Sequence, residues 1–404
     1  MQEQQLFASA LGLQSPWNVS NLEFSLDNRK LDIHIDFARG SEFSCPSCQA
    51  PAKAYDTKKQ SWRHMNFFQH QAYLHARVPR IKCSHGCGVK LIDVPWARSG
   101  SGFTLLFEAL ILSYCKEMPV NKVGELMGEH DTRLWRVIHH YVDTELGLQD
   151  YSSVTQVGMD ETASRRGHTY VSLFYDMSEK KLLFGTSGKD KATVKAFQED
   201  FIQHGGNPEA VTQACSDMSP SFISGIKEYL PNADITFDKF HIVKIINEGV
   251  DAVRREEVTE NEVLKKTRYL WLKNAVNLTD KQKVTMEDIS KLNLKTSRAY
   301  QIRLNFQEFF TQSDRASGEA FLNKWYYWAT HSQLAPMIKA AKTIKAHWCG
   351  ILNWFDSHLT TGFIEGMNGL IQAAKSKARG YRSDKNFIAI AYLLGAKLEF
   401  NLPT

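Results

Sequence analysis

The chain changes its hydrophobic rhythm several times, and each change marks an element. Within residues 20–40, KLDIHIDF alternates apolar and polar positions, the two-residue period of a strand, and reads as an exposed-edge strand. From about 104 to 147 the spacing turns helical. VTQVGMD (154–160), HTYVSLFYD (168–176) and KLLFGTS (181–187) then predict three strands, the first two joined by a hairpin turn at SRRG. TVKAFQEDFIQHG (193–205) predicts a helix, AVTQACSD (210–217) a strand, SPSFISGIKEYL (219–230) a helix and ADITFD (233–238) a fifth strand. From 243 to about 350 glycine and proline become scarce and the pattern is helical throughout. Further helices are predicted in GFIEGMNGLIQAAKSKARGYR (362–382) and in the apolar stretch at about 385–398.

Three antiparallel strands, then helix, strand, helix, strand and a distant helix, is the order expected of an RNase H-like core interrupted by an all-helical insertion. Upstream, VPWARSGSGF (94–103) reads as a linker. A length of 404 residues suggests two to four domains, and 43% hydrophobic with 23% charged residues excludes a disordered chain. The net charge of +5 permits nucleic acid as a partner without demanding it. MQEQQLFASALGLQ lacks the basic head and apolar core of a signal peptide, and no apolar run approaches the roughly 20 residues that span a bilayer. Seven cysteines in no regular framework point to a reducing compartment, so a cytoplasmic protein with no membrane partner is expected.

Four of those cysteines form two close pairs, Cys45-Pro46-Ser47-Cys48 and Cys83-Ser84-His85-Gly86-Cys87. Two such pairs brought together by folding supply the four soft ligands of a structural Zn²⁺, with a small β-rich module filling residues 49–82. Cys45, Cys48, Cys83 and Cys87 are the expected ligands, with His85 as the alternative to Cys87. In MPVNKVGELMGEHDTRLWRVIHHYV (118–142), Val120, Val123, Leu126 and Met127 fit one helix and Gly128 breaks it. The next helix carries Arg133, Trp135 and Arg136 near its start, as a helix-turn-helix requires of the helix entering a major groove, although a plain helical hairpin fits the pattern almost as well.

Asp160 ends the first predicted strand and Asp217 the fourth, strands that are neighbours in an RNase H-like core. Glu365 arrives from the late helix. Three carboxylates brought together repel one another unless hard divalent cations neutralise them, so two Mg²⁺ ions are expected, with Mn²⁺ able to substitute. Strand alternation turns Glu161 away, whereas Asp238 at the end of the fifth strand competes with Asp217 for the second position. Asp238 and His241 are expected to support the site from behind the ligands. Glu365, Asn368, Gln372, Lys375 and Arg379 share one helical face, expected to continue from the acid toward a DNA backbone together with Arg382.

The chain also resembles the ISL-three family of bacterial insertion-sequence transposases along nearly its whole length. The likeness lies in CPSC, WRHMNFFQHQAYLHARVPRIKC, VPWAR, VGMDETASRRGHTY, SDMSPSF, FDKFHIVKIIN, RRE, RYLWLKN and IEGMNGLIQAAKSKARGYR. It implies a zinc-binding module (1–95), a helix-turn-helix domain (100–148), a DDE-type catalytic domain (152–242 and 355–404) and a helical insertion (243–354). Asp160, Asp217 and Glu365 then resemble the catalytic and Mg²⁺-binding triad, and FDKFH resembles the Asp-x-x-His motif of related transposases. CSHGCG shifts the pattern of the second zinc half-site, and KSKARGYR is less basic than is usual for the family. Arg165 and Arg166 fall where phosphates would be touched. The insertion's aromatics, Trp271, Trp325, Tyr326, Tyr327, Trp328 and nearby Trp354, fit a bundle core, with stacking on an unpaired base as the lesser alternative. The implied activity is binding of the element's terminal inverted repeats in double-stranded DNA, cleavage at both ends and transfer of the 3′-hydroxyls to target DNA by at least a dimer. A non-catalytic DNA-binding repressor and an RNase H-like nuclease without strand transfer are the alternatives.

Overall fold

The computed structural model describes residues 3–165, 167–292 and 294–403. It divides into two compact units, residues 1–143 with 399–404, and residues 144–398.

The first unit begins with α1 (Glu3–Ala10) and a six-stranded sheet of β1 (Trp17–Ser25), β2 (Lys30–Phe37), β3 (Glu42–Ser44), β4 (Pro51–Phe67), β5 (His70–Lys82) and β6 (Val89–Leu91). The strand order is β1-β2-β5-β4-β3, with β6 paired to β5. KLDIHIDF is β2, and it lies between β1 and β5 rather than at an edge. Its alternation comes from one buried face, with Leu31, Ile33 and Ile35 all inside, and alternation of that kind is the same for interior and edge strands. Trp96 meets Trp17 and Trp62 edge-on, at ring-centroid distances of 4.9 and 5.6 Å.

Residues 94–103, expected as a linker, are strapped to this sheet. Trp96, Ala97 and Phe103 are buried, Arg63 N–H donates to Gly102 O (2.9 Å), and Thr104 N–H donates to Arg63 O (3.0 Å). The helices α2 (Leu105–Glu117), α3 (Val120–Met127) and α4 (Asp131–Leu146) follow at once. Buried Glu108 of α2 accepts hydrogen bonds from Arg98, Ser101 and the Tyr141 hydroxyl, which fixes the strapped segment to two helices. α3 ends at Gly128, whose φ of 69° is the left-handed value that glycine adopts without strain. Val120, Val123 and Met127 are buried as expected, but Leu126 is exposed.

In the second unit, β7 (Gln156–Arg165), β8 (Thr169–Asp176), β9 (Lys181–Ser187), β10 (Gln213–Ser216) and β11 (Asp234–Phe237) form one sheet in the order β11-β10-β7-β8-β9. β7, β8 and β9 are antiparallel neighbours, while β10 runs parallel to both β7 and β11. α5 (Lys191–Gln203) and α6 (Pro220–Tyr229) cover one face, where Met159, Phe174, Phe197, Phe201, Phe222 and Ile226 share a buried core.

α7 (Lys239–Glu257) opens a helical insertion that continues through α8 (Arg268–Leu272), α9 (Asp280–Ser290), α10 (Lys295–Gln307), α11 (Arg315–Thr330), α12 (Ala335–Ala346), α13 (Trp348–Leu352) and α14 (Trp354–Ser357). Trp271 and Trp325 are in its core, with their indole N–H groups donating to Thr267 Oγ1 and Ile302 O. Tyr326 and Trp354 pack against that core, whereas Tyr327 and Trp328 are exposed. α15 (Gly362–Lys377) and α16 (Asp384–Gly395) return to the sheet. α15 lies close to β7: a Cβ at Gly158 would stand 2.5 Å from Ile364 Cδ1 and also press on the Met177 sulfur, so both side-chain ends would have to shift to admit it. No helix among the described residues is long and apolar enough to cross a membrane.

Candidate active site

Asp160 lies inside β7 rather than at its end, because the ETASR segment goes on pairing with β8 as far as Arg165↔Thr169. On the other side β10 pairs with β7 only at Gln156, Val157 and Gly158. Asp160 is therefore just past the parallel ladder, and continuing that register sets Asp217, the residue after β10, level with it. Asp160 Oδ1 accepts Glu161 N–H (2.8 Å), and Asp160 Oδ2 accepts the Asn368 amide Nδ2–H (2.7 Å). Burial, with Asp217 adding to it, pushes the Asp160 carboxyl up to about 6.

Asp238 follows β11 and caps α7 by accepting Phe240 N–H (3.0 Å). Its other oxygen meets His241 Nδ1 at 2.7 Å. Burial pushes the Asp238 carboxyl up, but the bonds from His241 and Phe240 outweigh it and the net shift is downward. His241 is shifted the opposite way, first by its bond to Asp238 and further by the negative fields of Asp217 and Asp160. Glu365 is exposed in the first turn of α15, where the helix dipole favours a carboxylate. Burial and the Asp238 charge raise its pKa, while His241 opposes them. His241 thus lies in the fields of Asp238, Asp217 and Asp160, and Glu365 in those of Asp238 and His241. Glu161 is half-buried and its carboxyl is raised by burial and by Asp217, so it feels this field too despite the outward alternation expected of it.

The polar stripe of α15 is hydrogen-bonded to β7. Asn368 bonds Asp160, Gln372 Nε2–H donates to Thr162 Oγ1 (2.6 Å) and Ala163 O (2.9 Å), and Lys375 Nζ donates to Ala163 O. These three side chains dock on β7, where the facing strand presents polar groups to match them. α15 ends at Lys377, and Arg379 adopts φ 57° beyond it, so Arg379 leaves the helical face on which it was expected. Arg165 donates to Arg382 O (2.7 Å), and an open groove of about 690 Å³ runs between Arg165, Lys375, Arg379 and Arg382. Arg166 lies outside the described residues. In the first unit Arg136 is exposed, but Arg133 is engaged: it pairs with Glu129 and lies 4.1 Å over the Phe103 ring. Sequence reasoning missed Glu129's second partner, Arg63, whose side chain is 0% exposed and stands 3.6 Å from it.

The cysteine pairs meet at one end of the β4–β5 hairpin. Cys45–Cys48 turns β3 into β4, Cys83–Cys87 turns β5 into β6, and Ala54↔Ile81 pairs the two long strands beside both turns. The four sulfurs all lie within 4.8 Å of one another. Backbone N–H groups of His85 and Cys87 lower the Cys83 thiol to about 6, while Cys48 and Cys83 push Cys87 up to about 12. His85 serves through its backbone, and Cys87 supplies the fourth sulfur. Among the described residues no other group of three or more histidine, cysteine, aspartate or glutamate ligand atoms is drawn that close, so the carboxylates around His241 stand further apart.

Three family models match the chain in succession. Residues 41–87 match the zinc-finger of transposase IS204/IS1001/IS1096/IS1165, and residues 92–142 match the helix-turn-helix domain of transposase family ISL3. Residues 157–391 match the DDE domain model of the same family, described as Transposase. The chain is 26% identical to the transposase for insertion sequence element IS1557 of Mycobacterium tuberculosis, over 100% of this chain and 98% of the relative. It is 24% identical to the transposase for insertion sequence element IS1001 of Bordetella parapertussis, over 96% and 97% of the two chains. The four clustered sulfurs fall within the zinc-finger match, α3 and its Gly128 turn fall within the helix-turn-helix match, and the transposase model spans more than half of the chain: the chain belongs to the ISL3 family of DDE insertion-sequence transposases.

Proposed function

We propose that this transposase cuts and joins DNA at a two-metal site of Asp160, Asp217 and Glu365 on an RNase H-like core. The observation that carries the reading is geometric: the β10–β7 register, continued by two residues, sets Asp217 level with Asp160, and Asn368, one turn beyond Glu365 on α15, donates to Asp160 Oδ2 at 2.7 Å. The strand order β9-β8-β7-β10-β11, with β10 and β11 parallel to β7, supports the RNase H-like assignment. Two Mg²⁺ ions, or Mn²⁺, would supply Lewis-acid activation of the attacking oxygen and stabilise the leaving one. Asp238 fixes His241 through Nδ1, and a protonated imidazole there would offset the mutual repulsion of the acids whose fields it feels.

In the first step water attacks the phosphorus at the element end, the P–O3′ bond breaks, and a 3′-hydroxyl is freed. In the second that hydroxyl attacks a target phosphodiester, forming one P–O bond and breaking another, so no external energy source is required. Arg136, Arg165, Arg379 and Arg382 are the basic side chains placed to hold DNA backbone, and the helix-turn-helix would read the terminal inverted repeats. Zn²⁺ on Cys45, Cys48, Cys83 and Cys87 would be structural, since four protein ligands leave no open position. Joining two ends calls for at least a homodimer acting on the bacterial chromosome in the cytoplasm.

The test is incubation of the protein with labelled element-end DNA and Mg²⁺, beside Asp160→Ala and Glu365→Ala. Nicked and joined products from the wild type alone support the reading. Tight binding without cleavage by any version would leave a repressor, and cleavage without joining a nuclease.

A further inference from the structure

The docked face of α15 does more than cover β7. We propose that Asn368, oriented by Tyr175, is the positioning residue that sets the Asp160 carboxylate for its cation, and that the Asn368–Gln372–Lys375 ladder fixes the register in which α15 delivers Glu365. The inference rests on the reading of Asp160 and Glu365 as metal-binding acids.

An aspartate carboxylate turns readily about its last torsion, so a ligand oxygen must be aimed. Here both oxygens are held: Glu161 N–H fixes Oδ1, and Asn368 Nδ2–H fixes Oδ2 at 2.7 Å. Each oxygen keeps lone-pair capacity for a metal ion. The orientation of the Asn368 amide is itself decided. Its Oδ1 accepts the Tyr175 hydroxyl at 3.0 Å, which leaves the NH₂ end for Asp160. Tyr175 is fully buried on β8, and burial pushes its pKa up, so its hydroxyl keeps the proton it donates. The same ring meets Phe363 of α15 edge-on at 5.7 Å, giving the helix a second hold on β8.

The ladder links this contact to the third acid. Glu365 lies three residues before Asn368, on the same face and one turn nearer the helix start. Gln372 and Lys375 fasten the next turn to Thr162 and Ala163, and the close approach of Ile364 to Gly158 fixes the depth. A slip of α15 by one residue moves Glu365 about 1.5 Å along the axis and rotates it by about 100°, and every bond of the ladder resists that slip. The stripe thereby joins two proposed metal ligands that are far apart in sequence.

The experiment measures Mn²⁺ binding to the full chain by calorimetry, and Mg²⁺-dependent cleavage of element-end DNA, for wild type, Asn368→Ala, Tyr175→Phe and Asp160→Ala. Asn368→Ala is expected to weaken Mn²⁺ binding roughly 10-fold or more, and to raise the Mg²⁺ concentration for half-maximal cleavage by a similar factor. Its DNA affinity stays at the wild-type value, and excess Mn²⁺ restores its rate but not that of Asp160→Ala. Tyr175→Phe, which removes one oxygen, shifts both quantities the same way by less. Wild-type metal affinity in both Asn368→Ala and Tyr175→Phe, or a loss of DNA affinity with metal affinity intact, overturns the positioning role. If Asp160→Ala keeps wild-type metal binding and cleavage, the acid assignment itself fails, which is a different result from the first.

Discussion

The four sulfurs at the end of the β4–β5 hairpin come from two turns, each within five residues of chain, and already lie within 4.8 Å of one another. Asp160, Asp217 and Glu365 come from β7, the end of β10 and the first turn of α15, and no such group forms among them. The first arrangement is a closed cage whose ligands are placed by local backbone geometry. The second is a set of like charges held apart by the elements that carry them, with His241 in the fields of Asp160 and Asp217. A cage suits a cation that holds structure, whereas separated acids suit cations that must also admit a substrate.

Removing the metal should expose this difference most strongly. Cys45→Ser, or a strong chelator, is expected to release one Zn²⁺ per chain and unfold the β-module, since a structural zinc contributes on the order of 10 kcal/mol to such folds. Proteolysis within residues 1–143 then rises sharply, whereas EDTA-sensitive Mg²⁺ at the acids leaves the fold of 144–398 intact. Resistance of both units to chelation breaks the comparison. Next in size, Glu129→Ala strands buried Arg63 and frees Arg133, at a cost of about 3–5 kcal/mol measurable by denaturant unfolding.

Asp160→Asn tests the strain held at the acids. The carboxyl sits at about 6 instead of 3.8, so the folded state binds its proton more tightly than the unfolded chain. Below pH 4 both states are protonated and the substitution is neutral. As pH rises from about 4 to about 6 the wild type loses stability, to a limit of about 3 kcal/mol at neutral pH. The metal-free variant should therefore melt higher than wild type at pH 7 and alike at pH 4; a gap independent of pH would contradict the assignment. The smallest effect belongs to Arg379→Ala in the basic groove. It should weaken DNA binding by about 1 kcal/mol and reduce the salt slope by about one, with Mn²⁺ affinity unchanged.

The two regions also differed in how far they could be read from sequence. Cys45, Cys48, Cys83 and Cys87 were legible because short spacing fixes neighbours before any tertiary contact forms. The adjacency of Asp160 and Asp217 was legible because strand order places β7 beside β10. The roles of Asn368, Gln372 and Lys375 were not. A polar helical stripe resembles a solvated or DNA-facing surface, and only the fold reveals that β7 presents Asp160, Thr162 and Ala163 O to meet it. The surroundings of Arg133 were only partly legible: Glu129 is four residues away, but Phe103 beneath Arg133 and Arg63 beside Glu129 arrive only through folding. Tyr175 carried no separate signal, being one aromatic in a strand of aromatics and β-branched residues.

The central claim is that Asp160, Asp217 and Glu365 together hold the catalytic cations. The most direct measurement is anomalous scattering from Mn²⁺ in crystals of the protein bound to element-end DNA. The account predicts two manganese peaks held by Asp160, Asp217 and Glu365. Manganese held by Asp238 in place of Asp217, or no peak at Glu365, would contradict it.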